Sequence, residues 1–326
     1  MNSRSAHRAI WTPLLVSGVI AFATGCAPPG IAKEFCVAGT VQARACGTCN
    51  TGEERHVCTA DGTFEVAFPC TGVDETIPID PRTLAPICGP YERPVVFFAP
   101  HPDDESIGMA GAIRESLGEG RAVFVELMTH GEMSRARHKL DDGGTDPWHT
   151  GSHHYNLSVE EFGDARVREF FDTAVLLGVT GVRVHGFKNG GLTEEDVSSS
   201  IQDWIERARN DGGTKLSLRG TAGAQDPQNS GGLPHVDHKA VWDALTASGA
   251  KDVQGYCIYN YVAHKSTPDE THDISPWCAD KRAALEAYKL WDPDAGRFAV
   301  GEHSVPDVLA NAASECNEFI VYPPNP

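Results

Sequence analysis

From residue 91 to the C-terminus, short apolar runs alternate with longer amphipathic segments, the first run is apolar at every position, and six of the ten cysteines crowd into 36–88. These observations predict an α/β protein: a doubly wound, mostly parallel, Rossmann-like sheet over 91–326, preceded by a small cysteine-rich module. The length agrees, because 326 residues exceed one average domain and fall short of three. Lys and Arg number 27 against 45 Asp and Glu, a net charge of −18. No basic cluster relieves that field, so counterion release has no footing and nucleic acid is not an expected partner.

Residues 1–25 read as an export signal. Arg4 and Arg8 precede an apolar stretch from Ile10 to Ala23, which at about 14 residues is shorter than the roughly 20 a membrane-spanning helix needs. Ala23-Thr24-Gly25-Cys26 is similar to a lipoprotein processing site, with Ala23 where Leu is usual; a plain secretory signal competes with it. On the lipoprotein reading Cys26 is acylated, and the chain is an exported cell-envelope lipoprotein, at the outer membrane on its periplasmic side or at the cell surface. Residues 26–90 then hold the anchor, a linker and the cysteine-rich module. That stretch has too little apolar sequence for a core of its own, so disulfides are expected, with a zinc ribbon begun by Cys46-Gly47-Thr48-Cys49 as the alternative. Without Cys26, nine cysteines remain, and Cys316 is the candidate for the odd thiol.

The large domain begins with Pro94–Ala99, whose β-branched and aromatic run suits a strand buried on both faces. There follow a helix over 105–117, a strand over 122–128, a helix over 159–177, a strand over 181–187, and a helix opening at the capping-box-like Thr193 and Asp196. Lys215–Leu218 and Val253–Tyr261 read as strands, with helices over 238–247 and 276–290. Gly131–Ser158 exceeds ordinary loop length, which marks it as a functional flap.

Two polar clusters carry the chemistry. His101-Pro102-Asp103-Asp104-Glu105 follows the first strand and opens a helix, the place where parallel sheets put their sites. His235-Val236-Asp237-His238 repeats the situation before a later helix. His101, Asp104 and His238 together would leave open the fourth position that a catalytic zinc reserves for water, and the mixed nitrogen and oxygen donors suit zinc better than calcium. Alone, the first cluster also reads as a helix cap, with Pro and Asp in their favoured places.

The two motifs, in this order, resemble the zinc-dependent de-N-acetylase family that includes the glycosylphosphatidylinositol-precursor and mycothiol-precursor (LmbE-like) deacetylases. Thr129-His130-Gly131-Glu132, Arg166-x-x-Glu169 and Gly190-Gly191-Leu192 accompany them, and the likeness spans roughly 91 to 290. The chain departs from the family at Pro100, where Ala is usual, and at Asn189, where Asp often stands. The resemblance implies one Zn2+ per chain on His101, Asp104 and His238, with Asp103 as general base. It further implies that His235 meets the oxyanion and can protonate the leaving amine, and that Asp237 orients His235. The implied reaction removes an N-acetyl or short N-acyl group from an amino-sugar conjugate or glycolipid.

Residue geometry agrees with those roles. Neighbours at a helix start point about 100° apart, so Asp104 can face an ion while Asp103 faces the attacking water. Other readings stay open. Arg166 and His130 are the candidate substrate contacts, yet Arg166 could equally pair with Glu169 at helical spacing. Glu105 either complements the helix dipole or supports its neighbours from behind. His138, His149, His153 and His154 suit a solvated loop, with substrate contact as the alternative, and Tyr259 and Tyr261 suit sheet packing rather than a sugar platform. A glycan-binding lipoprotein on the same fold, or an amidase of amino-sugar thiol conjugates, would be the alternative functions.

Overall fold

The structure is a computed structural model and describes residues 37–38, 40–61, 63–71, 76–141, 154–213, 215–223, 235–258 and 268–324. The export signal, Cys26, Cys36, His149, His153, Tyr259 and Tyr261 lie outside the described residues. None of the described helices is long and apolar enough to cross a membrane. The chain divides into two compact units, one containing Glu53–Thr71 and the strand before it, the other containing Cys46–Gly52 and everything from Gly72 onward.

The small unit is a three-stranded sheet of β1 (Val41–Cys46), β2 (Gly52–Cys58) and β3 (Phe64–Thr71), in that order, with β2 and β3 antiparallel. Cys46, Cys58 and Cys70 are all disulfide-bonded, which suits a sheet with so little apolar sequence to bury.

The large unit contains, in chain order, β4 (Val95–Ala99), α1 (Asp104–Gly108), α2 (Ala110–Gly118), β5 (Val123–Thr129), α3 (Ala136–Asp141), α4 (Val159–Leu177), β6 (Gly181–Phe187) and α5 (Glu194–Asn210). It continues with β7 (Ser217–Thr221), α6 (Val236–Ala247), β8 (Val253–Tyr256), β9 (Glu270–Asp273), α7 (Cys278–Ala287), β10 (Trp291–Asp292), β11 (Arg297–Phe298), α8 (Val300–Ser304), α9 (Pro306–Ser314) and β12 (Asn317–Val321). Seven strands form one sheet in the order β6-β5-β4-β7-β8-β12-β9. The first five are parallel, and β12 pairs antiparallel with both β8 and β9. Alternate residues of β4 enter separate cores. Val95, Phe97 and Ala99 pack with Ile113, Phe170 and Ala284, whereas Val96 and Phe98 pack with Val197, Trp204, Val241 and Leu245. Helices therefore cover both faces, and the doubly wound expectation holds.

Boundaries follow local chemistry. The capping boxes at Ser158 and Thr193 both form, and they open α4 and α5. The single helix expected over 105–117 is instead broken at Met109, and the reason lies far along the chain. The Glu318 carboxylate accepts the Gly111 and Ala112 amides at 2.8 and 3.0 Å, satisfying donors that an unbroken helix would have used. The antiparallel strands β9 and β12 and helices α8 and α9 had no signal strong enough for sequence reading. Within the flap, 136–141 form α3, and the stretch 142–153 lies outside the described residues. Behind the sheet, buried Glu126 accepts from Arg183, His185, Ser200 and Trp204 at 2.6–2.9 Å, so its charge is fully answered.

Disulfides join Cys49 to Cys88 and Cys278 to Cys316. The second corrects the expectation that Cys316 is the odd thiol: it staples the start of α7 to the residue that precedes β12. Replacing both partners, Cys278→Ser with Cys316→Ser, is expected to lower stability by about 2–4 kcal/mol, because the unfolded chain regains the freedom of that loop. Denaturant unfolding followed by tryptophan fluorescence checks this, and an unchanged midpoint would contradict it.

Candidate metal centre and active site

Strand order reverses between β4 and β7, and the carboxyl edge of the sheet at such a reversal is where parallel folds place their sites. His101 lies two residues beyond β4. His235 is the N-cap residue of α6, and His238 lies in its first turn. The topology thus brings together two clusters 136 residues apart.

His101 Nδ1, Asp104 Oδ2 and His238 Nε2 form a near-equilateral triangle with sides of 3.2, 3.3 and 3.3 Å. A tetrahedral ion with bonds of about 2.0–2.1 Å holds neighbouring donors about 3.3–3.4 Å apart, so these three atoms already have the spacing of one face. Tautomers support the same set. His101 Nε2–H donates to Asp237 Oδ2 at 3.0 Å, which leaves the Nδ1 lone pair facing the triangle.

A third imidazole is close by: ring nitrogens of His101, His235 and His238 all lie within 4.8 Å of one another. His235, however, accepts the Asp237 backbone N–H at its Nδ1, 3.3 Å away, so the neutral ring carries its proton on Nε2. Such a nitrogen donates to an oxygen and does not ligate. Burial and the neighbouring His101 push the His235 pKa down to about 4, which keeps this ring neutral.

Charge in the triangle is concentrated. Burial opposes the charged form of His101, but Asp104 and Asp237 outweigh it and hold its pKa at about 9. Burial likewise opposes ionised Asp104, and His238 and His101 outweigh it, keeping that carboxyl well below its usual range. Without an ion the cluster thus traps a proton on His101. A divalent cation must displace it, so metal affinity is expected to rise about tenfold per pH unit up to near pH 9. Metal titrations at several pH values check this; affinity independent of pH would contradict it.

The Asp237 carboxylate corrects one expectation from sequence. It does not reach the His235 ring. Oδ2 takes His101 and the Gly190 amide, the latter at 2.7 Å, while Oδ1 takes the Leu192 amide at 3.1 Å. Gly190-Gly191-Leu192 is therefore the clamp for Asp237, and Gly190 sits at φ 76°, where a side chain is disfavoured.

Asp103 is the N-cap residue of α1, yet its side chain makes no capping bond, which removes the helix-cap reading. Its backbone lies at φ 125°, a conformation that costs a non-glycine residue about 1–3 kcal/mol and persists only where the surroundings impose it. Arg166 stands beside it. It is buried, and its guanidinium donates to Asp103 Oδ2 at 2.9 Å, to the Pro102 carbonyl at 2.6 Å and to the Gly131 carbonyl at 3.1 Å, while its Nε is buried without a hydrogen-bond partner. Arg166 thus positions Asp103. Glu169 accepts the Val300 and Gly301 amides of α8. Burial pushes the Asp103 pKa up, Arg166 opposes that, Asp104 reinforces it, and the balance is about 7.

Gly131 makes the Arg166 contact possible. It stands at φ 67°, and a Cβ there would come within 2.2 Å of Arg166 Nη1. Gly131→Ala is expected to destabilise the protein by about 1–3 kcal/mol and to displace Arg166, lowering turnover. A variant with unchanged thermal midpoint and rate would contradict this. His130 is half-buried at the end of β5, at the same edge of the sheet, and Glu132 beside it accepts the Asn189 amide at 3.0 Å through one oxygen while burying the other.

Residues 96–248 match the PIG-L family, described as GlcNAc-PI de-N-acetylase. That span runs from β4 through α6 and holds both polar clusters. This segment is similar to the PIG-L family. No curated protein matches the chain. Among solved structures, N,N'-diacetylchitobiose deacetylase from Pyrococcus horikoshii is similar at 20% identity over 71% of this chain and 84% of its own, with TM-score 0.47. GalB, the 4-carboxy-2-hydroxymuconate hydratase of Pseudomonas putida, is similar at 17% identity over 72% and 98%, also with TM-score 0.47. The A40926 pseudoaglycone deacetylase Dbv21 is similar at 15% identity over 72% and 100%, with TM-score 0.46. The matching segment carries its acid, amide and imidazole groups beyond the carboxyl ends of β4, β5 and β6 and at the start of α6.

Proposed function

We propose that this PIG-L-like domain hydrolyses the amide of an N-acetyl or short N-acyl amino-sugar conjugate, with one Zn2+ held by His101, Asp104 and His238. The observation that carries the reading is the donor triangle of 3.2–3.3 Å beside a buried carboxylate that none of its three atoms uses. Zinc bound there supplies a Lewis acid that acidifies water and polarises the acyl carbonyl. Asp103, with a pKa raised to about 7, takes the proton of the attacking water and can return it to the leaving amine. Neutral His235 directs its Nε2–H at the oxygen on which charge develops. Asp237 fixes the ring of His101, and Arg166 fixes Asp103.

Metal analysis joined to an acetate-release screen over N-acetylglucosamine conjugates tests this. Stoichiometric zinc and chelator-sensitive acetate release are expected. Turnover that ignores chelators would sink the mechanism, and a zinc-loaded protein that binds glycans without hydrolysing them would favour a binding module.

We propose further that the chain is exported and tethered through Cys26. Bridges Cys49–Cys88 and Cys278–Cys316 support an oxidising compartment. Cys26→Ser is expected to move the protein from the membrane to the soluble fraction; identical fractionation of both forms would refute the anchor.

A further inference from the structure

We propose that Tyr288, which lies outside the segment matching the PIG-L family, is a positioning residue for Asp103 and acts through Glu105. The inference rests on the reading of Asp103 as the base.

Asp103 is held in its strained conformation from two sides. Arg166 grips its carboxylate, and Glu105 Oε2 accepts its backbone N–H at 3.2 Å. Glu105 is completely buried, and its other oxygen accepts the Tyr288 hydroxyl at 2.6 Å and the Ser106 hydroxyl at 2.7 Å. Three donors thus converge on one buried carboxylate, and the shortest comes from 183 residues away. Removing the phenol leaves a buried carboxylate one donor short, which favours another rotamer. That change weakens the hold on the Asp103 amide, and Asp103 relaxes towards an ordinary backbone conformation.

The ring is placed rigidly enough for this. Tyr288 follows α7 and is fully buried in a cluster with Ile107, Leu285, Val308 and Leu309. Behind it, α8 approaches so closely that a Cβ on Gly301 would meet the Tyr288 Cβ at 2.6 Å. Glu169 anchors that wall by accepting the Val300 and Gly301 amides at 2.6 and 3.1 Å. Helix α4 therefore supports Asp103 twice, directly through Arg166 and indirectly through the walls around Tyr288. A phenylalanine ring fills the same space, so the hydroxyl can be tested apart from the packing.

The experiment is Tyr288→Phe in the metal-loaded full chain, assayed on the substrate found by the acetate-release screen. Expected are a kcat about tenfold lower, a KM changed by less than about twofold, unchanged metal stoichiometry, and faster amide exchange in the peptide spanning 101–106. In the Glu105→Gln background, whose amide oxygen can still accept from Asp103, Tyr288→Phe is expected to add no further loss, because the two residues act as one unit. An unchanged kcat with unchanged exchange, or effects that multiply in the double variant, would overturn the proposal. If Asp103→Asn itself leaves the rate intact, the reading of Asp103 as base fails; amide exchange then still reports whether Tyr288 holds that peptide.

Discussion

Asp103→Asn is expected to lower kcat by roughly 10²–10⁴-fold, the range set by loss of a general base, while the protein keeps its metal. Asn has nearly the size and shape of Asp, so the contacts that impose the backbone at φ 125° should survive the change. The three donor atoms belong to other residues and lose nothing. What disappears is the group able to accept a proton, together with its ion pair to Arg166, whose remaining bonds run to the Pro102 and Gly131 carbonyls. The pH profile gives a second readout. A base works only when deprotonated, so wild-type kcat/KM should rise with pH through the Asp103 pKa, about 7 without an ion and lower beside a bound cation. The variant should lack that limb. Steady-state kinetics with metal analysis decide the matter: an unchanged rate, or zinc lost along with activity, would remove Asp103 from the role.

His238→Ala should abolish metal binding and, with it, hydrolysis. His238 supplies one corner of the triangle, and it is also the strongest of the influences that hold buried Asp104 ionised. Removing it opens the ion's coordination and raises the pKa of the carboxylate that remains. Asp237→Asn provides the graded comparison. Asp237 receives the His101 Nε2 proton at 3.0 Å, so its loss should weaken metal affinity by about 10–100-fold without destroying the site. Had Asp237 served His235, metal affinity would not respond at all. Competition titrations with a chromophoric chelator separate these cases; full zinc occupancy in His238→Ala would refute the ligand set.

The chain carries its fold and its reactive groups legibly where the signals are local. The apolar run Val95–Ala99 reads as a two-faced strand because every position is hydrophobic, and Ser158 and Thr193 announce helix starts through capping geometry confined to four residues. His101, Asp104, His235 and His238 stand out because each cluster is compact and sits where a strand-to-helix turn is expected. Tertiary structure alone decided which donor meets which acceptor. Asp237 turned to His101, and Arg166 turned to Asp103 across 63 positions, because the fold brings α4 and α6 against the turn that follows β4. Tyr288 had no local signal, being one aromatic residue at the end of an amphipathic helix, and Glu318 reached back 207 positions to break a helix that its own residues would have continued. The physical reason is the same throughout. Propensity and periodicity act over one or two turns, whereas a buried donor or carboxylate takes whatever partner the packed chain brings within about 3 Å.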